Sequence, residues 1–344
     1  MTFSDPAQVR AARDIFFSGK GLPVERVGHA VLRSWMRCID MGLDESTTPR
    51  VEASSAADVR HLHEKHEALR RISRPELDAL YSEARDMSGI VILTNARGEI
   101  LDAVGDPSFA DKAAQVALRP GVQWSEDAIG TNAIGTALAE RRAVAVNGAE
   151  HYFRGHEGLS CAATPIIDPR GATLGVLDIS TPAQISGGAV LGMVRMAVEQ
   201  IEHRLFRGGF DGCRTLRFQA DANLLGAARE GILVEKDGVI VAANRRGLSL
   251  VGRSWDGLDQ MQLDDLFDGR VTGGRLRGCD GREFHAQIDG ETGAQRLSVP
   301  ERRLEEVELS VMRASLDAHG GNVSAAAKAL GVHRSTLYRR LGLG

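Results

Sequence analysis

The side chains whose types and spacing most clearly suit a chemical task lie at the C-terminal end. They are Asn322, Ser324, Lys328, His333, Arg334, Ser335, Thr336, Arg339 and Arg340. Nothing in their arrangement suits bond making. They offer positive charge and hydrogen-bond donors, the chemistry of phosphate and base-edge recognition. From Gly320 onward there are four cations, Lys328, Arg334, Arg339 and Arg340, and no acid. The whole chain of 344 residues has 42 Lys plus Arg against 46 Asp plus Glu, a net charge of −4, so this stretch reverses the sign of the rest. Such a local reversal is what binding to a polyanion needs. A protein coated in positive charge is excluded, and contact with nucleic acid must come through this patch.

The elements that would position these groups are legible. Asn322 caps a short helix, Val323 to Leu330, whose alanines let another helix approach closely. Gly331-Val332 reads as the turn, with Gly331 where left-handed backbone is wanted. The helix that follows, His333 to Leu341, presents the basic and hydroxyl side chains while Val332, Leu337 and Leu341 pack inward. Ahead of both, Leu304, Val307, Val311 and Leu316 make an amphipathic helix ending at His319-Gly320-Gly321. Two helices joined by a short Gly-containing turn are helix-turn-helix geometry. The bland alternative is a helical hairpin with a solvated basic face.

A second group of candidates lies mid-chain: Trp124, Asn132, His151, Tyr152 and Cys161, aromatic and small polar side chains suited to lining a ligand cavity. Few cations lie in residues 124–166, so a ligand there is expected to be small and largely uncharged. His151, His156 and Cys161 come nearest to a metal site, an iron-based gas sensor being the sharper reading. Their spacing matches no standard metal pattern, so no metal and no cofactor is expected. The cysteines, Cys38, Cys161, Cys213 and Cys279, lie far apart and form neither a disulfide framework nor a zinc finger. Gly158-Leu-Ser-Cys-Ala162 imitates a nucleophile elbow but ends in Ala, and Gly19-Lys-Gly21 has Val24 where a dinucleotide fingerprint needs its third Gly. An enzyme is not expected.

The rest of the chain reads as α+β. A helix is expected over residues 24–39, a linker over 44–57, and a long polar helix from Asp58 to Met87 broken at Pro75. The period then changes to that of strands: a hairpin over 89–104, helices near 110–118 and 132–140, strands at 143–146, 160–167 and 173–179, and an apolar helix from Ile185 to Phe206. Beyond a polar boundary reaching about Arg217 come a short helix (221–228), an Asp237-Gly238 hairpin, a helix capped by Asn244, and a hairpin around Asp280-Gly281. The expected domains are 1–57, an N-terminal helical segment and linker; 58–207; 218–290; and 301–344. No apolar run approaches a membrane span and no secretory signal is visible at the N-terminus, which points to the cytoplasm.

Residues 304–341 resemble the Fis-type helix-turn-helix at the end of bacterial enhancer-binding regulators. Leu32-Arg-Ser-Trp-Met-Arg-Cys-Ile-Asp-Met-Gly-Leu43, Trp124-Ser-Glu-Asp-Ala-Ile-Gly-Thr-Asn-Ala-Ile-Gly-Thr-Ala-Leu138, Gly148 to Tyr152 and Cys161 to Ile166 resemble the acetoin- and dihydroxyacetone-regulator group of that class. The resemblance implies a GAF sensory domain over 58–207, a small-molecule effector and double-stranded DNA as ligands, and RNA polymerase or a full-length regulator as further partners. The Gly231 to Asn244 stretch is similar to the core of a PAS domain, expected over 218–290. The tail alone covers too little surface for a specific site, so a homodimer on an inverted-repeat operator is expected. A rival reading is a sensor or accessory protein acting through contact with a full-length regulator. One departure from the family is plain: its central AAA+ ATPase has no room between residues 206 and 301, and no G-x-x-x-x-G-K-[ST] occurs in the chain. The nearest approach, Gly130 to Ala137, has Thr136 where the phosphate-binding Lys must stand. Purified protein should therefore show no ATP turnover above background in a phosphate-release assay. Turnover abolished by a local mutation would overturn this.

Overall fold

The computed structural model describes residues 5–47, 54–105, 117–185, 187–269, 271, 273–289, 312–313, 315–316, 319–330 and 334–341. The chain forms two compact units, Met1–Gly290 and Glu291–Gly344. In the first, four helices precede any strand: α1 (Pro6–Phe17), α2 (His29–Asp40), α3 (Ala56–Lys65) and α4 (Glu67–Asp86). The helix expected over 24–39 starts later, because Gly28 takes an extended conformation as the N-cap. The break in the long polar helix falls at His66 rather than at Pro75, which sits inside α4. Proline removes an amide donor and pushes the preceding carbonyls outward. Beside the carbonyl of Arg71 that Pro75 leaves without its helical donor, Ile72 O accepts from Arg204 at 3.2 Å.

A five-stranded antiparallel sheet follows, in the order β2-β1-β5-β4-β3, built from β1 (Ile90–Asn95), β2 (Ile100–Gly105), β3 (Val144–Asn147), β4 (Leu159–Ile167) and β5 (Thr173–Pro182). Side chains alternate faces along each strand. Val91, Leu93, Ala162, Leu177 and Ile179 pack on α4 and α7 (Gly187–Arg204). Ile90, Ile92, Cys161, Ala163 and Val176 pack beneath α5 (Glu126–Ile129) and α6 (Ala133–Glu140). Both faces are covered, so all nine residues of β4 are buried. The helix expected near 110–118 falls mostly outside the described residues.

A second sheet runs β8-β7-β6-β11-β10-β9 and is antiparallel throughout. Its strands are β6 (Arg214–Gln219), β7 (Gly231–Lys236), β8 (Val239–Ala243), β9 (Phe267–Asp268), β10 (Gly274–Gly278) and β11 (Glu283–Asp289), with α8 (Arg245–Val251) on its core. β6 lies in the middle of this sheet and begins ahead of residue 218. The short helix expected over 221–228 is only a 3-10 turn, Ala222–Leu224.

The N-terminal helices do not form a separate segment. Val9, Ala12, Phe16, Trp35 and Cys38 share one core with Ala149, Tyr152 and Phe153 of the turn after β3. α2 also carries the polar contacts that hold α5 and α6. The Glu126 carboxylate, 5% exposed, accepts from Ser34 Oγ at 2.6 Å and from Arg37 Nε and a terminal nitrogen at 2.7 and 2.8 Å. Arg37 and Arg33 both pair with Glu140 as well. Stripping a buried carboxylate of its cation leaves an uncompensated charge, at a cost of roughly 3 kcal/mol. Arg37→Ala should destabilise the chain by about that much in urea unfolding, and Arg37→Ala combined with Glu126→Gln should cost less than the sum of the two. Additive losses would show that the pair does not hold α2 in place.

Candidate functional site

The second unit holds α9 (Val323–Leu330) and α10 (Arg334–Leu341). Ala326, Ala327 and Leu337 are buried between them, with Met312, Leu316, Val323 and Leu341 packed around. Asn322 Oδ1 accepts the Ala325 amide at 3.1 Å, so this side chain caps α9 and keeps its amide donors for a ligand. Gly320 and Gly321 have φ of 58° and 82°, a left-handed turn just ahead of α9. Ser324, Lys328 and Arg334 are exposed. Ser335, Thr336, Arg339 and Arg340 lie on α10, their side chains outside the described residues, as are His333 and the Gly331-Val332 turn. Tyr338, unforeseen, is 45% exposed on α10 one turn beyond Arg334, where spacing of four puts both on one face.

In the first unit the five expected ligand-lining residues divide. Tyr152 faces the N-terminal core: its ring is 5.3 Å from Phe17 and its hydroxyl donates to Leu43 O at 2.7 Å. Asn132 is a helix cap, accepting from the Gly135 amide and donating to Gly130 O, both at 2.8 Å. Trp124, His151 and Cys161 belong to the layer between the sheet and α5–α6 or border it. The Trp124 ring lies 5.3 Å from the His156 ring, which is 6.3 Å from that of His151. Arg13, on α1, holds this turn from behind by donating to His151 O at 2.6 Å and to Glu45 at 2.8 Å.

The electrostatics of this layer are unusual. His151 Nδ1 donates to Gly148 O at 3.0 Å, which leaves Nε2 as an acceptor without a partner. His156 Nδ1 is also unpartnered. Burial lowers both imidazoles, His151 to about 3 and His156 to about 4, so both are neutral at ordinary pH. On β5, Asp178 and Ser180 point into the same layer by strand alternation. Asp178 Oδ2 accepts from Ser180 Oγ at 2.7 Å, Ser180 Oγ lies 3.1 Å from Cys161 Sγ, and Asp178 Oδ1 has no partner. Burial pushes Asp178 up to about 7. It pushes the Cys161 thiol up as well, aided by the Asp178 charge. Among the described residues no three His, Cys, Asp or Glu side chains are grouped to hold a metal ion.

The sheet covered on both faces by helices is GAF-like, and a helix-turn-helix region follows it in the sequence. Residues 5–203, more than half of the chain, match the family described as MimR, N-terminal domain, and the chain belongs to that family. Residues 303–342 match the bacterial regulatory proteins of the Fis family. The acetoin catabolism regulatory protein of Cupriavidus necator is 29% identical over 263 residues, covering 70% of this chain and 39% of that protein. The propane 2-monooxygenase operon transcriptional activator MimR of Mycolicibacterium smegmatis is 32% identical over 224 residues, 64% of this chain and 36% of that one. The chain thus spans less than half the length of these curated relatives. The E. coli DhaR(N)–DhaL complex holds a chain similar in fold, with a TM-score of 0.50 at 12% identity, covering 76% of this chain and 99% of that one.

Asp178 gives a testable signature. Its folded value, about 7, lies above the ordinary 3.8, so the folded state keeps a proton that the unfolded chain releases. Its contribution to stability therefore falls as pH rises from about 4 to about 7 and is level above. His151 and His156 act in the opposite sense, adding stability as pH rises from their lowered values towards 6.5. The difference between wild type and Asp178→Asn isolates the carboxyl: the variant should gain stability relative to wild type between pH 5 and 8 in denaturant unfolding. A constant difference across that range would contradict the assignment.

Proposed function

We propose that this chain is a sequence-specific DNA-binding transcriptional regulator whose GAF-like part senses a small, largely uncharged effector. The observation that carries the reading is the union, in one chain, of the MimR N-terminal domain and a Fis-type helix-turn-helix with exposed Lys328 and Arg334. The effector sits over Trp124, His151 and Cys161, the expected residues that share or border one layer. The second sheet, the PAS-like part expected over 218–290, relays or dimerises. The chain works without an ATPase of its own, in the cytoplasm, as a homodimer. No described helix is long and apolar enough to cross a membrane.

Two α10 helices entering successive major grooves place half-sites about one helical turn apart, ~34 Å. Lys328 on α9 meets phosphate, while Arg334 at the start of α10 reaches base edges. A second reading, an accessory protein that acts by contact with a full-length regulator, is favoured by the exposed apolar side chains Leu22, Val24, Met36, Ile39 and Met41 on and around α2. DNA binding by the full chain at two salt concentrations separates the two. Arg334→Ala should cost on the order of 1–3 kcal/mol and relax preference at one base pair. Lys328→Ala should weaken all sequences alike and flatten the salt slope by about one unit. If neither change alters specific binding, the helix-turn-helix does not read DNA and the accessory reading replaces the first.

A further inference from the structure

We propose that the exposed face of α2 is the contact between two copies of this chain, packed antiparallel about a two-fold axis beside Met36. The inference rests on the homodimer reading above and says which surface makes the dimer.

Among the described residues seven large apolar side chains are exposed, and five of them, Leu22, Val24, Met36, Ile39 and Met41, fall between positions 22 and 41. Single exposed apolar residues are ordinary, but a concentration of them marks a surface that another molecule covers. The helix itself shows how they are placed. One side of α2 is spent on the core, through Val31, Leu32, Trp35 and Cys38, and on Glu126, through Ser34 and Arg37. The opposite side carries Arg33, Met36 and Asp40, whose spacings of three and four stack them in one row. Ile39, three positions after Met36, flanks that row. Met36 and Ile39 are 43% and 47% exposed. Leu22 and Val24 precede the helix, and Met41 is its C-cap.

Charge identifies the occupant. Along the row a cation, an apolar side chain and an acid follow in order, with Arg33 and Asp40 about 10 Å apart along the axis. Arg33 spends Nε and one terminal nitrogen on Glu140, a carboxylate that Arg37 also meets at 2.9 Å and Arg142 at 3.6 Å. Cations are therefore in surplus at that end of the row. Asp40, at the other end, is exposed and meets no cation among the described residues. An antiparallel copy sets Arg33 against the partner's Asp40, and Asp40 against the partner's Arg33, with the Met36 side chains between them. A parallel copy would set like charges together. The order of charges thus selects an antiparallel two-fold contact, in which one patch serves both chains. Helix axes about 8–10 Å apart keep such side chains within reach of each other. An apolar partner would cover Asp40 without offering a cation, whereas a second copy supplies one. A stable interface buries about 800 Å² on each side, more than three turns of one helix offer. In the antiparallel pair the chain entering one α2, with Leu22 and Val24, lies toward the end of the other, with Met41, and adds apolar area. The two-fold axis is also the symmetry that an inverted repeat requires.

The test uses the full chain in sedimentation at a series of concentrations. Wild type should form a concentration-dependent dimer. Asp40→Arg, Arg33→Glu and Met36→Glu should each raise its dissociation constant about tenfold or more, because the two-fold axis repeats every change. Glu140 keeps Arg37 and Arg142 when Arg33 is replaced. The discriminating step mixes Asp40→Arg with Arg33→Glu in equal amounts. Each variant alone faces like charge, whereas the mixed pair has opposite charge at both contacts, so the dimer should return. That recovery also shows that both variants are folded. A wild-type dimer that none of the three substitutions weakens, or weakened variants that the mixture does not recover, overturns the assignment of α2 and leaves the homodimer reading standing. A wild-type chain that stays monomeric at every concentration removes the homodimer reading and the inference together. A monomeric chain that instead forms a mixed complex with a full-length regulator, lost in Met36→Glu, overturns the inference and gives this face to the accessory reading.

Discussion

A carboxyl taken out of water must find a cation or keep its proton, and Glu126, which finds a cation, organises the N-terminal half of this protein. Its partners, Ser34 and Arg37, come from a helix some ninety positions earlier in the chain. Ser34 Oγ also meets Thr131 Oγ1 at 2.7 Å and Thr136 Oγ1 at 3.1 Å, so one short side chain ties α2 to three points of the segment that roofs the sheet. Arg13 does the same one layer out, where its buried guanidinium donates to the carbonyls around His151 and packs 4.6 Å above the Phe17 ring. Trp35 Nε1 completes the set with a 2.8 Å bond to Glu150 O. The N-terminal helices are thus the outer wall of the sensory layer. Their contacts add to those that the loop carrying His151 and His156 makes itself, such as the Tyr152 amide donating to Thr131 O at 3.1 Å and the Asn147 amide donating to Glu150 at 2.8 Å.

The same logic joins the two sheets. α7 ends in Glu202 and His203, both nearly buried. Glu202 accepts from the Ile167 amide at 2.8 Å and from Arg245 at 2.9 Å, which links β4 to the first turn of α8. His203 meets the fully buried Glu230 at 2.9 Å, and Arg217 on β6 reaches the same carboxylate. Arg170, in the β4–β5 turn, pairs with Asp259, and Pro169 O accepts the Ala243 amide at 2.9 Å. A ligand can shift an equilibrium only through contacts that differ between two states. These paired charges connect the strands of the first sheet to the second sheet.

The sequence made the local elements legible and left the burial of polar groups largely hidden. Hairpins with Asp-Gly turns, the caps at Asn244 and Asn322, and the helix-turn-helix are decided by neighbours within a few residues, so their signals are local. β6 was hidden because Arg214-Thr-Leu-Arg-Phe-Gln219 alternates with arginines and follows a glycine-rich stretch, although Leu216 and Phe218 carry the period of a strand. Asp178 was hidden for a stronger reason. In Leu177-Asp-Ile179 an acid between two apolar residues reads as the wet side of a strand, and only a sheet covered on both faces makes it buried. Tyr152 shows the converse: an aromatic beside two histidines reads as pocket lining, and it points instead at a helix more than a hundred positions away.

Charge separates the C-terminal stretch from the rest of the chain. Without the stretch from Gly320 onward, the chain carries 38 Lys and Arg against 46 Asp and Glu, a net charge of −8. A phosphate backbone repels such a body and attracts the tail, so the field favours approach with α9 and α10 foremost before any base is touched. Among the described residues many arginines elsewhere pair with carboxylates of the fold, as Arg33 and Arg37 do with Glu140, whose carboxyl they hold down at about 2. A cation bound to its own carboxylate has no counterion to release on meeting a phosphate. On the DNA-binding reading proposed above, salt dependence would be set by the few cations of the tail, and one lysine there would weigh measurably in the slope.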